Sequence, residues 1–350
     1  MRGSLDIDGR RKRNFSLFLF LVSALIFLFV LDIFLGSVTV HPGDVVRSLF
    51  SPSGSDTDII ILRFRIPKAL TALIAGAALS LSGLMMQTVF RNPMAGPYVL
   101  GISSGASLGV AIVILGFSPL FNTGSIGFAG NWLLVISAWC GAGIVLLVIT
   151  YISSRVRDIM TILILGIMIS SGISAFVTIL QYFSNETMLR AYVIWTMGSL
   201  GNLTTSQLEV LAITVAAGLI TGLFTMKMLN ALLLGENYAE SLGLNVKLSR
   251  TLVFVCTSIL AGSVTAFCGP IGFIGIAVPH IVRMIFGTSD HRILMPGTVL
   301  AGGSVMLLSD MISQVPGSEN VLPVNAITSF IGIPVVIWVI LRNRKYSGVF

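Results

Sequence analysis

Residues Arg65–Ala106 read RIPKALTALIAGAALSLSGLMMQTVFRNPMAGPYVLGISSGA. A basic pair opens the stretch, a long apolar run rich in Gly, Ala and Ser follows, and Arg91-Asn92-Pro93 breaks it. A Gly- and Pro-containing re-entry then leads directly into a second apolar run. In water such a segment is a poor helix, because each interior Gly costs about 1 kcal/mol relative to Ala. In a bilayer the same residues are favourable, since small side chains let helix backbones approach closely and pack by van der Waals contact. The stretch therefore reads as two membrane-embedded helices joined by a tight break.

The rest of the chain agrees with that reading. Of 350 residues, 55% are hydrophobic and 10% are charged, against about 25% charged in an average soluble domain; the mean hydropathy is +0.97. A spanning helix takes roughly 20 apolar residues. Apolar runs of that kind predict an all-α, polytopic membrane protein with ten spans, at 15–36, 67–90, 97–116, 131–152, 159–182, 207–228, 249–268, 271–287, 295–313 and 324–341. The basic run Arg10–Arg13 before Phe15–Leu35 opens like a signal peptide, but the apolar stretch is too long for one, so a retained first helix is expected. The organisation is then a basic N-terminal segment, 1–14, one transmembrane domain, 15–342, and a tail, 343–350.

The net charge of +7 has a topological origin. Five of the 21 Lys and Arg residues (Arg47, Arg63, Arg65, Lys68 and Arg190) fall on one side of these spans and sixteen on the side of the N-terminus. That is the positive-inside bias; it puts both termini in the cytoplasm, requires an even number of spans, and leaves no argument for nucleic acid.

Between the fifth and sixth spans, Tyr192–Ser206 is too short and Gly-interrupted to cross and is expected to form a short helix at the outer face. The longest cytoplasmic connection, Lys227–Arg250, has a centre of helical composition, GENYAESLGLNV. A faint repeat at an offset of 186 residues aligns Gly76 with Gly262, Gly83 with Gly269, Pro93 with Pro279 and Gly101 with Gly287. Its two copies, the second to fifth and seventh to tenth spans, would run in opposite directions, a common transporter construction.

Catalytic and metal-binding patterns are missing from the sequence. His41, His280 and His291 lie in loops or at span ends, Cys140, Cys256 and Cys268 sit singly in apolar runs, and no phosphate-cradling Gly-rich motif occurs, so neither an intramembrane enzyme nor a cofactor is expected. Asp32, Glu209 and Asp310 sit toward the outer span ends, where water is expected to solvate them. Proton- and ion-coupled transporters carry mid-membrane carboxylates or histidines; without them, uphill transport must draw energy from a partner chain. An ion-coupled secondary transporter is the competing class.

The pieces RIPK, AGAALSLSG, Gln87, RNPMAGPYVLGISSGA, WTMGSLG, LGENYAESLGL, GPIGFIGIAVPHIVR, DHR and LPVNAITSFIGIP follow one another between Arg63 and Arg342. In that order and spacing the chain resembles the iron-chelate and vitamin B12 permease family, the membrane subunits of type II ATP-binding-cassette importers. The resemblance implies a homodimer in a bacterial or archaeal cytoplasmic membrane, with its path on the two-fold axis. ATPase subunits would sit below it and a periplasmic or lipid-anchored binding protein above. The cargo it implies is a metal chelate, ferric siderophore first, with cobalamin or haem as alternatives.

It also assigns residues. Arg63, Arg65 and Lys68 would dock the acidic lobes of the binding protein; by residue type alone they read as snorkelling interfacial cations. Gly235, Glu236, Ala239, Leu242, Gly243 and Leu244 would form the coupling helix seated on the ATPase, with the two glycines as its ends. Ile159 and Met160, with Asn92 and Pro93 of the break, would form the inner gate, although an ordinary positive-inside anchor fits RVRDIMT as well. The chain departs from the family pattern at Gly96, where Asp is usual, and at Gln314, Val321 and Asn325, where Arg, Glu and Gly are usual. The Arg missing at Gln314 removes an expected docking anchor.

Overall fold

The computed structural model describes residues 2–116, 128–156, 158–314 and 321–343. The tail beyond Asn343, assigned to the cytoplasm above, lies outside the described residues. The architecture is helical: α1 (Arg2–Phe34), α2 (Pro42–Phe50), α3 (Asp56–Ile59), α4 (Ile66–Val89), α5 (Ile102–Ala111), α6 (Phe128–Arg155), α7 (Ile159–Phe183) and α8 (Glu186–Thr196) come first. Then follow α9 (Thr205–Leu233), α10 (Glu236–Ser241), α11 (Val246–Cys268), α12 (Ile274–Phe286), α13 (His291–Ser313) and α14 (Val324–Asn343). Short π-helical turns at Ile60–Arg65 and Ile112–Gly116 and a 3-10 turn at Pro97–Leu100 join or extend them. Among the described residues the one β-type contact is an isolated bridge between Gln314 and Val321.

Each of the ten expected spans coincides with an apolar helix. Seven helices have the length and composition to cross a membrane, and three shorter ones, Ile102–Gly116, Ile274–Phe286 and Val324–Val339, occupy the third, eighth and tenth positions. The basic N-terminal segment is helical from Arg2 and continuous with the first apolar helix in α1.

Helix α4 forms the centre, packed against α9, α11, α12 and α13. Its small residues explain why: a Cβ added at Gly76 would stand 2.2 Å from the Gly302 carbonyl oxygen, and one at Gly83 would stand 1.7 Å from that of Gly275. Backbones this close leave no room for any side chain, and overpacking of this kind typically costs about 1–3 kcal/mol. Gly83→Ala is therefore expected to lower the thermal-unfolding midpoint of the detergent-purified protein, whereas Gly262→Ala, where an added Cβ meets only Ile102 and Ala142 side chains at 3.7 and 3.8 Å, leaves it nearly unchanged.

The expected repeat has a counterpart in the packing of the elements. Helix α4 packs on α13 as α11 packs on α6, α4 meets α12 as α11 meets α5, and α5 meets α7 as α12 meets α14. The residue-by-residue offset does not survive. Pro93 lies in the turn after α4 while Pro279 lies inside α12, and Gly101 starts α5 while Gly287 ends α12. The first pair of helices is already out of step with that offset, α4 starting at Ile66 and α11 at Val246, and the next pair, starting at Ile102 and Ile274, is further out, so symmetry of packing is kept where symmetry of sequence position is not.

The short outer helix begins earlier than expected. Asn185 caps α8 by accepting from the Met188 N–H, and Gly198, with φ of +75°, closes the segment, so helix occupies Glu186–Thr196 and Gly198–Thr204 is irregular.

Candidate functional site

The helix α7, the 3-10 turn Pro97–Leu100 and the start of α12 border an open cavity of about 570 Å³. Its wall from α7 carries Ile167, Ser170, Ser171 and Ser174; Ile271, Phe273 and Ile276 face it from the segment entering α12. Hydroxyl groups and apolar side chains line it, with no ionisable carboxylate, Lys, Arg or His among the lining residues. Phe273 holds a positive φ of 65°, a costly backbone state for an aromatic residue; it ends the approach to α12, and an added Cβ at Gly332 of α14 would stand 2.4 Å from the Phe273 Cβ.

The expected gate residues frame this cavity without lining it. Ile159 and Met160 are the first residues of α7, two turns before Ile167, and Asp158 caps that helix by accepting from the Met160 and Thr161 N–H groups. The Thr161 hydroxyl, followed by those backbone donors, holds the Asp158 carboxyl below the ordinary carboxylate range. Asn92 accepts from the Met94 N–H, and the Pro93 carbonyl accepts from His280 Nε2 at 2.7 Å. That carbonyl is thus engaged within the protein. The cavity serines escaped the sequence reading; the signal available was their i, i+1, i+4 spacing on an otherwise apolar span.

On the opposite side of the sequence break, α10 is bounded by Gly235 and Gly243 with φ of +117° and +83°, as their assignment as helix ends required. The two side chains expected to touch a partner through charge or small size turn inward instead. Glu236 accepts from Arg250 Nε at 3.1 Å and from its Nη2, with the Arg250 side chain almost fully buried, and Ala239 is 0% exposed. A buried guanidinium needs a counter-charge, and this decides the rotation of α10. Leu244 packs partly on the core. The outward surface carries Asn237, Glu240 and Ser241, and its large apolar side chains are Leu242, 62% exposed, and Tyr238, 52% exposed, four residues earlier on the same face; Tyr238 was missed because the resemblance assigned it no role.

The outer basic group is split. Arg63 is exposed, but Arg65 is 7% exposed and its guanidinium donates to the carbonyls of Ile33 and Phe34, each at 2.9 Å, and of Val38 at 2.5 Å. It thereby caps the C-terminal end of α1, where carbonyls lack helical partners. Lys68 Nζ lies 3.1 Å from Asp310 Oδ1. Residues 65 and 68 share a helical face while 63 lies near the opposite one, so a single surface cannot present all three. The docking assignment of Arg65 and Lys68 is corrected accordingly: both are engaged inside the bundle.

The expectation of solvated outer carboxylates holds for Glu209, which is exposed, and is corrected for Asp32 and Asp310. Asp310 is 0% and Asp32 3% exposed; Gln314 donates to Asp310 Oδ2 at 2.7 Å and reaches Asp32 Oδ1 at 3.5 Å. Gln314 is consequently an inward member of this cluster, not a vacated docking position. Asn325, another departure, accepts from the Gly272 N–H at 2.9 Å, a role the usual Gly could not fill.

Comparison with known proteins gives one consistent picture. Residues 24–342 match the model of the FecCD transport family. The chain is 33% identical over 334 residues to an ABC transporter permease protein of Methanocaldococcus jannaschii, covering 93% of this chain and 95% of that one. It is 33% identical over 337 residues to the vitamin B12 import system permease protein BtuC of Escherichia coli, covering 96% and 98%. Among solved structures, a metal-chelate type ABC transporter in an inward-facing conformation superposes with a TM-score of 0.81 at 28% identity, covering 93% of this chain and 99% of that one.

Proposed function

This chain belongs to the FecCD transport family, and on that premise we propose that it works as one half of a homodimeric, ATP-driven import path for a metal chelate. It is a permease subunit of an ABC importer of the metal-chelate and vitamin B12 type, and a multi-pass membrane protein. The finer reading adds a second copy, two ATPase subunits on the cytoplasmic side, and a periplasmic or lipid-anchored binding protein outside. Both termini are placed in the cytoplasm of a bacterium or archaeon, which the charge asymmetry of the loops supports.

The observation that carries the reading is the neutral cavity beside α7. Its serine hydroxyls and apolar groups form a surface over which a bulky chelate can pass without being held by charge. A tight ionic site would trap the cargo, and conduction needs binding weak enough to leave. Selectivity is then supplied by the binding protein, and energy by the ATPase acting on the outward face of α10. Ferric siderophore is the proposed cargo; cobalamin is the alternative that the relative from Escherichia coli supports, with haem beside it.

The buried Asp32 and Asp310 give the ion-coupled reading a foothold that the sequence withheld. Against it, Asp310 is bonded to Lys68 and Gln314, and neither carboxylate lines the cavity.

Proteoliposomes containing the permease with its cognate ATPase and binding protein decide between the two. Uptake is expected to require ATP and binding protein and to persist when ionophores collapse proton and sodium gradients. Uptake by the permease alone, driven by an ion gradient, would sink the importer reading. In the same preparation the binding protein is expected to capture ferric siderophore in competition with cobalamin and haem.

A further inference from the structure

The cytoplasmic ends of α4, α9 and α12 carry a set of polar side chains to which the mechanism above gives no task. Gln87, buried at the end of α4, donates through Nε2 to the carbonyl of Ile276 at 3.1 Å, and Ile276 lines the cavity. The same amide accepts, at Oε1, from Arg283 Nη1 at 2.5 Å. Ile276, His280 and Arg283 are spaced by four and three residues and so occupy one face of α12. All three are engaged with the end of α4 or with the turn that follows it: His280 Nε2 meets the Pro93 carbonyl.

The other side of that turn is tied to the partner-facing segment. Arg91, at a positive φ of 45°, donates from Nη2 to the carbonyl of Leu232 at 3.2 Å. Leu232 lies three residues before Gly235, where α10 begins, and a Cβ at Gly235 would come within 2.9 Å of the same Arg91 nitrogen. From α10 to the cavity, then, the contacts run through Arg91 into the turn Arg91–Pro97, whose far end, Gly96 and Pro97, is itself cavity wall. They return through His280, Arg283 and Gln87 to Ile276.

Cohesion alone is a poor reason for this arrangement. Arg283 is half-buried and forms no ion pair among the described residues; its guanidinium donates to the neutral amide of Gln87. Placing a guanidinium there without a carboxylate is costly, and an apolar residue would pack α12 on α4 without that cost. Directional bonds, in contrast, make the α12 start follow the α4 end and the turn as one body, which apolar contacts able to slide would not do.

We propose that Arg283, acting through Gln87, and Arg91, acting through Leu232, are positioning residues that transmit displacement of α10 to the cavity wall. They touch neither cargo nor nucleotide. The proposal rests on the importer reading above, and its consequence is uncoupling: without these bonds the ATPase still docks and turns over, but the wall no longer follows.

The test uses the full transporter in proteoliposomes, comparing wild type with Arg283→Met and Arg91→Ala. Three quantities are read: ATPase co-purification, ATP hydrolysis, and cargo transported per ATP. The expected result is unchanged co-purification and thermal midpoint, retained hydrolysis, and transport per ATP reduced about tenfold, within the range by which single contacts modulate coupling. Arg91→Lys, which keeps a donor for the Leu232 carbonyl, is expected to recover most of the ratio, a rescue that a merely structural defect would not show in transport per ATP. Should Arg283→Met fail to accumulate, Arg91→Ala alone decides, since it removes one bond from a turn outside the helices. A wild-type ratio in the folded variants would overturn the proposal while leaving the importer reading intact. Failure of the wild-type permease to bind an ATPase would instead overturn that reading, and the proposal with it.

Discussion

Introducing Arg at both Tyr238 and Leu242 is expected to strip the ATPase from the permease and abolish uptake. These side chains are the outward apolar pair of α10, four residues apart on one helical face, and a partner groove that receives them must be largely dry. Forcing a guanidinium into such a groove without a counter-charge costs several kcal/mol, and each 1.4 kcal/mol is about tenfold in affinity. A loss of at least about 100-fold in ATPase affinity is therefore expected, read as disappearance of the ATPase from the purified complex. The permease itself should unfold at its normal temperature, because both positions already face away from its core. Glu236→Arg is the instructive contrast. It would set two guanidiniums against each other, since Arg250 is buried and paired with Glu236, and should destabilise the permease before any partner is considered. Normal ATPase binding by the Tyr238→Arg, Leu242→Arg double variant would remove α10 as the docking element.

The second large effect is expected at the outer cluster, where it distinguishes an internal role from docking. Lys68→Met leaves Asp310, fully buried, without its cation. Breaking a buried pair from one side typically costs about 3–5 kcal/mol, so the variant should show a strongly lowered thermal midpoint or fail to accumulate. Adding Asp310→Asn removes the stranded charge and should restore most of the stability, because replacing both partners is far milder than deleting one. If Lys68 were instead a docking residue, Lys68→Met would leave stability unchanged. It would slow association with the binding protein at low salt, and Asp310→Asn would rescue nothing. The exposed cation of the group, Arg63, remains the candidate for electrostatic steering of that encounter.

What was legible in the sequence followed from transfer energetics. Lengths of apolar chain are set by bilayer thickness, and every backbone group inside must be satisfied within a helix, so the positions of the ten apolar helices could be read directly. The ends of α10 were legible for a local reason, since Gly235 and Gly243 adopt positive φ, which glycine tolerates without penalty. The repeated order of packing was also foreseeable in outline, though not the register.

Rotation of each helix about its axis was not legible. A helix surrounded by lipid and by other apolar helices has no polar face to betray its direction, so the 3.6-residue pattern that orients a soluble helix is weak here. Direction was decided by partners far away in sequence: Arg65 by the carbonyls of Ile33, Phe34 and Val38, Lys68 by Asp310, Glu236 by Arg250, and Arg283 by Gln87. Sequence alone determined that this chain is a helical membrane permease and where its helices lie. Only the tertiary structure decided which of its few charges face a partner and which are consumed holding the bundle, because in a low-dielectric interior a charge must turn toward whatever can compensate it.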